Sequence, residues 1–235
     1  MSLVKICGLR TPETLDAALS AGADMVGFVR YPRSPRHVEL GIGGELSRVA
    51  AGRAARVVLL VDPTDAELEE ALRAIEPDMI QLHGHESPER TAEIARRVGR
   101  PVMKALAISE AADLAAIDRY RGAAARILLD AKPPKGAVLP GGNGVAFDWR
   151  LVSGLARTPL CAALGMGAPD PAATLMLSGG LTPENVGEAI AVSGLSAVDV
   201  SSGVESAPGS KDPTKIAAFV RAARTAFAAG DRRVA

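Results

Sequence analysis

Eight short apolar or β-branched runs alternate with eight Ala/Leu/Glu/Arg-rich stretches along this chain, and no other feature restricts its fold as much. The runs are Leu3–Cys7, Met25–Val29, Val57–Val61, Met79–His83, Pro101–Ala105, Arg126–Asp130, Thr174–Ser178 and Ala197–Ser201. Helical stretches lie between and after them, near 12–20, 39–51, 65–74, 88–98, 110–120, 148–156, 183–192 and 213–228. Such alternation reads as repeated βα units around a parallel sheet. A length of 235 residues is long for one sandwich and short for two independent domains, but it suits one α/β barrel. The expected architecture is therefore α/β, a single-domain (βα)8 TIM barrel over residues 1–235.

Helix starts repeat one idiom: Thr11-Pro12-Glu13, Asp62-Pro63-Thr64, Ser87-Pro88-Glu89, Thr182-Pro183-Glu184 and Asp212-Pro213-Thr214. Each offers a side-chain oxygen for an exposed N–H, and a proline whose missing N–H costs nothing in the first turn. The segments "AGADMVGF" and "SGLSAVDV", leading into the second and eighth runs, add to the impression of an internal repeat.

Strand parity separates a closed barrel from an open sheet. Lys5 and Cys7 share one face of their strand, as do Gln81 and His83, and Asp199 and Ser201. An open parallel sheet would bury these groups against apolar helices. A barrel gathers them at the C-terminal mouth of its lumen, where active sites of this architecture sit. Two connections stand out by length. Lys132–Ala146, rich in Gly and Pro, is expected to be a lid or binding loop. Arg157–Ala173 leads into the seventh strand on the opposite side and is expected to be peripheral.

The 27 basic and 27 acidic residues cancel, and aromatics are few, so there is no electrostatic footprint for nucleic acid. No apolar run is long enough to span a bilayer, and the N-terminus lacks a signal-peptide pattern. A core of this size needs no staple. Cys7 and Cys161 are thus expected to be reduced thiols of a cytoplasmic monomer or homodimer whose partner is a small molecule.

Gly179 and Gly180 follow a strand, and Ser201, Ser202 and Gly203 follow the last one. Glycines admit close approach of backbone N–H groups, so the two loops together form a candidate phosphate site, as after strands seven and eight of many barrels. Cys7 lies at the mouth beside Lys5 and ahead of a helix start, both of which favour thiolate; its alternative reading is a small buried hydrophobe. Asp130 closes an apolar run, where an unpaired carboxyl has a raised pKa and can act as a general acid. The alternative is a helix cap or an ion pair with Lys132. Gln81 and His83 are candidate substrate contacts at the same mouth. Among Arg30, Arg33 and Arg36, Arg36 is the better candidate to grip a carboxylate. His83 and His85, with Glu86, invite a metal reading, but His85 and Glu86 fall past the strand end and no further ligand at a familiar spacing appears, so no metal is expected. Trp149 reads as packing.

Taken in order, "KICGLRTPE", "GADMVGFV" with "SPRHV", "VVLLVDPT", "IQLHGHE", "LLDAK", "GGNGVAFDW", "LSGGLTPENV" and "VDVSSGVES" resemble the phosphoribosylanthranilate isomerases over residues from about 3 to 225. The resemblance implies an Amadori rearrangement in tryptophan biosynthesis that needs no cofactor, with Asp130 as acid, Cys7 as base, Arg36 on the anthranilate carboxylate and the glycine loops on the phosphate. Arg30 and the 157–173 segment depart from the family pattern. The rival readings are another sugar-phosphate isomerase or epimerase, an indole-forming synthase, and a non-catalytic barrel that binds a phosphorylated metabolite.

Overall fold

The computed structural model describes residues 2–137, 139–155 and 174–234. Eight parallel strands close into a barrel in chain order: β1 Leu3–Cys7, β2 Met25–Val29, β3 Ala55–Leu60, β4 Met79–Leu82, β5 Val102–Ile108, β6 Arg126–Ala131, β7 Leu175–Leu177 and β8 Ala197–Val200. β1 closes on β8 with Lys5 opposite Asp199. The outer layer holds α1 Pro12–Ser20, α2 Leu40–Ala50, α3 Asp65–Ile75, α4 Pro88–Val98, the single turn α5 Ala116–Arg119, α6 Val186–Ser193 and α7 Pro213–Val234.

Three helices begin as the idiom predicts. Thr11, Ser87 and Asp212 accept from Thr14 N, Arg90 N and Thr214 N at 3.3, 3.2 and 2.8 Å. At α3 the cap slides to Thr64, which forms a reciprocal box with Glu67. Thr182-Pro183-Glu184 is instead a turn ahead of α6, held by the Asn185 side chain, which accepts from Thr182 N and donates to Gly180 O.

The expected helix near 110–120 is a 3-10 turn, Ala111–Ala115, running into α5. The one near 148–156 is a 3-10 turn at Trp149–Val152. In both places an Asp side chain, Asp113 or Asp148, accepts backbone N–H groups at the start of the turn. Cys161 and the 157–173 segment lie outside the described residues. An antiparallel pair that the sequence pattern does not announce, β9 Glu205–Ala207 and β10 Ser210–Lys211, follows β8.

Apolar burial divides into an outer and an inner layer. The larger cluster fills the space between strands and helices, with Ile6, Phe28, Leu82, Ile94, Leu129 and Phe219 among its members. The lumen floor is packed by Met25, Val57, Met79, Met103, Leu128 and Met176. Unbranched methionines fill an irregular barrel interior well. The floor leaves the polar lumen positions of β1, β4, β6 and β8 above it, at the carboxyl ends of the strands.

Candidate active site

The strand parity read from the sequence holds at the mouth. Cys7, Gln81, His83, Asp130, Asp199 and Ser201 all line one cavity of about 780 Å³, its open mouth included. Cys7 on β1 and Asp130 on β6 stand on opposite flanks, with β7 and β8 between them round the barrel. Gly27 on β2 makes room for the thiol: a Cβ at that position would lie 2.9 Å from Cys7 Sγ, closer than such contacts allow.

The electrostatics of Cys7 differ from the sequence-based expectation. Lys5 is shared: its Nζ lies 2.9 Å from Asp199 Oδ1, with both side chains buried, and it also interacts with Cys7. Burial alone would draw Lys5 down, but Asp199 and Cys7 lift its ammonium above the ordinary value. For Cys7, burial pushes the thiol up, and Lys5 and Lys211 recover only part of that, with Asp199 acting against them. Helix α1 begins only at Pro12, five residues beyond Cys7, with Thr11 as its cap. Cys7 is thus a thiol with a raised pKa. Its alkylation rate by iodoacetamide, measured on a Cys161→Ser background, should climb with pH through a midpoint above the ordinary thiol value of about 8.5. A midpoint near neutrality would show that the thiolate is stabilised after all.

Asp130 is not the unpaired carboxyl that its apolar run suggested. Oδ1 accepts from Ala131 N at 2.9 Å, and Oδ2 lies 3.2 Å from His83 Nε2. His83 Nδ1 is in turn 3.1 Å from Gln81 Nε2, an amide nitrogen that can only donate. The imidazole proton then sits on Nε2, facing Asp130. Gln81 Oε1 is buried and has no partner among the described residues. The suggested pair with Lys132 does not form; that lysine reaches Asp113 at 3.6 Å.

Arg36 is buried with its stem against Gly8, and it lines the cavity. Arg30 turns away to Val38 O at 2.8 Å and His37 Nε2 at 3.0 Å, so it ties the loop after β2 rather than the cavity. Arg33 is exposed. Gly179, Gly180, Ser201 and Ser202 line the cavity, with both glycines in the left-handed region at φ +83 and +61. Gly203 does not line it; it packs against the Leu181 carbonyl and brings the loops after β7 and β8 together. His85 lies outside on Asp62. Among the described residues no group of three or more His, Cys, Asp or Glu is placed to hold a metal ion.

Leu139–Val145 of the long loop after β6 forms one wall, as a binding loop would. Gly141 sits against His83 and Asp130, and the Gly142 carbonyl accepts from Arg36 Nη2 at 3.2 Å. Across from it Val29, Tyr31, Leu59 and Val61 make an apolar wall beside Cys7. Sequence reasoning missed this wall, and also Glu205 and Lys211. The signal for Glu205 was present in "SSGVE", a carboxylate directly after a glycine loop.

Residues 4–222 match the family model described as N-(5'phosphoribosyl)anthranilate (PRA) isomerase. An N-(5'-phosphoribosyl)anthranilate isomerase of Azorhizobium caulinodans is 58% identical over 226 residues, covering 96% of this chain and 93% of the relative. One from Rhodopseudomonas palustris strain BisB18 is 54% identical, covering 94% and 95%. The crystal structure of phosphoribosyl anthranilate isomerase from Thermotoga maritima superposes with a TM-score of 0.80 at 35% identity, covering 96% of this chain and all of the other. A phosphoribosyl anthranilate isomerase solved with reduced 1-(o-carboxyphenylamino)-1-deoxyribulose 5-phosphate gives 0.77 at 34% identity, with the same coverage.

Proposed function

The chain belongs to the N-(5'-phosphoribosyl)anthranilate isomerase family, and on that premise we propose how its own residues carry out the aldose–ketose rearrangement of N-(5'-phosphoribosyl)anthranilate in tryptophan biosynthesis. The observation that carries the assignment is one cavity lined by a thiol on β1, a carboxyl on β6, the Arg36 guanidinium and two glycine-bearing loops. A substrate with a carboxylate, a sugar and a phosphate has groups to match these.

In this reading the loops holding Gly179, Gly180, Ser201 and Ser202 take the phosphate, and Gly203 supports them by packing rather than by contact. Arg36 takes the anthranilate carboxylate while the ring rests on Val29, Tyr31, Leu59 and Val61. The ribose then spans Cys7 and Asp130, so both reacting groups are fixed without a search through solution.

Asp130 protonates the ring oxygen as the anthranilate nitrogen lone pair forms the C1–N double bond and the C1–O bond breaks. Cys7 as thiolate takes the proton from C2, and the C2–H electron pair becomes the C1–C2 double bond of an enolamine. The cycle closes when C1 gains a proton and the C2 hydroxyl loses one, giving the 2-ketose. When Asp130 carries its proton on Oδ2, His83 Nε2 must accept. Its Nδ1–H then needs an acceptor, which Gln81 Oε1 supplies once the amide turns over. The pair Gln81 and His83 therefore accommodates both states of the acid, beside the substrate contacts that their place in the cavity wall allows.

The test is turnover of freshly generated phosphoribosylanthranilate, followed by loss of its fluorescence with no metal or cofactor added. Rapid conversion supports the reading; tight phosphate-ligand binding without conversion returns the chain to the non-catalytic binder. In the same assay Arg36→Met should raise KM by about 100-fold while kcat falls far less, because an arginine–carboxylate contact is made in ground and transition states alike. An unchanged KM would remove Arg36 from the carboxylate site.

A further inference from the structure

Arg36 does not stand alone in the cavity wall. Its Nε donates to Glu205 Oε1 at 2.7 Å and its Nη2 to Glu205 Oε2 at 3.0 Å, a side-on bidentate grip. Glu205 also accepts from Lys211 Nζ at 2.6 Å, and the other Lys211 donors go to Ser201 O at 3.0 Å and Ser201 Oγ at 3.2 Å. All three charged side chains are buried. Glu205 stays outside the cavity that Arg36 lines, in a crevice behind it with Pro35, Ser206 and Pro208.

We infer that Glu205, held by Lys211 on the β9–β10 hairpin, is a positioning residue that fixes the Arg36 guanidinium so that only its Nη1/Nη2 end faces the cavity, and thereby sets the preference for a carboxylate-bearing aromatic ring. The inference rests on the reading of Arg36 as the carboxylate site. Two arguments carry it. A guanidinium has two edges that can take a carboxylate in parallel, and Glu205 occupies the Nε/Nη2 edge, leaving a single approach. The cluster also holds two cations, Arg36 and Lys211, against one carboxylate, Glu205. One further negative charge completes the pairing that burial demands. The hairpin, which fold and mechanism alone do not require, carries both Glu205 and Lys211.

The experiment compares wild type, Glu205→Gln, Arg36→Met and the double variant. It measures kcat and KM for phosphoribosylanthranilate, and calorimetric affinity for two ligands: reduced 1-(o-carboxyphenylamino)-1-deoxyribulose 5-phosphate and the same compound lacking the ring carboxylate. Glu205→Gln should weaken the carboxylate-bearing ligand and raise KM by about 10- to 100-fold, with kcat changed only a few-fold, as expected for a lost partner of a buried charged group. The ligand without a carboxylate should change less than about twofold, and the substitution should add nothing on the Arg36→Met background. Equal weakening of both ligands, unchanged affinity, or an additive loss in the double variant would overturn the inference. If wild type itself fails to distinguish the two ligands, the Arg36 assignment falls first and takes this one with it. Should Glu205→Gln fail to fold because Lys211 is left without its carboxylate, Glu205→Gln with Lys211→Met keeps the net charge of the cluster and carries the same expectations.

Discussion

Replacing Cys7 by serine is expected to lower kcat/KM by about 100- to 10,000-fold, the range of a lost general base, while affinity for phosphate-bearing ligands stays within a few-fold. A serine fits the space that Gly27 leaves beside the thiol, so the fold has no reason to change. What changes is proton affinity: even with burial pushing the Cys7 thiol up, a hydroxyl in the same place ionises far less readily. The same shift gives the wild-type enzyme a pH signature. Because the reactive form is the thiolate and its pKa is raised, kcat/KM should rise with pH through the ordinary thiol range. Retention of near-normal turnover by Cys7→Ser would remove Cys7 from the mechanism.

Asp130→Asn should be almost as severe, also about 100- to 10,000-fold in kcat/KM, with ligand affinity nearly kept. The amide cannot deliver a proton to the ring oxygen, yet its oxygen can accept from Ala131 N as Oδ1 does now. A pre-opened imine analogue of the substrate, which needs no ring protonation, should recover much of the lost rate. Failure of that rescue would return Asp130 to holding His83 and the loop glycine in place.

The parts of this molecule written in local order were legible in the sequence. β1 and β2 begin and end where the apolar runs do, and lumen-facing residues follow from alternation alone. Strand ends blur where neighbours decide: β5 runs on to Ile108 because Ala107 and Ile108 pair with Asp130 and Ala131 of β6, and no local signal in "ALAIS" says so. The helical reading at 110–120 is met by a 3-10 turn running into the single turn α5, and the one at 148–156 shortens to the 3-10 turn Trp149–Val152. Cys7, Asp130 and Arg36 were found because each residue type in its place suggested a role. Glu205 was passed over because its importance lies in a partner 169 positions away, which spacing cannot reveal. The thiolate argument failed because burial, which spacing does not report, outweighs the help Cys7 draws from Lys5 and Lys211, and Asp199, 194 positions from Lys5, opposes them.

The contact between the Gly142 carbonyl and Arg36 Nη2 links the glycine loop to the chemistry of the ligand. A substrate carboxylate gripping the Nη1/Nη2 end draws on the same donor, so the two acceptors compete. A change that strengthens the loop's hold on Arg36 by a given factor therefore weakens carboxylate binding, by that factor at most. The loop sequence is in this sense an affinity dial, adjustable without touching Arg36 itself.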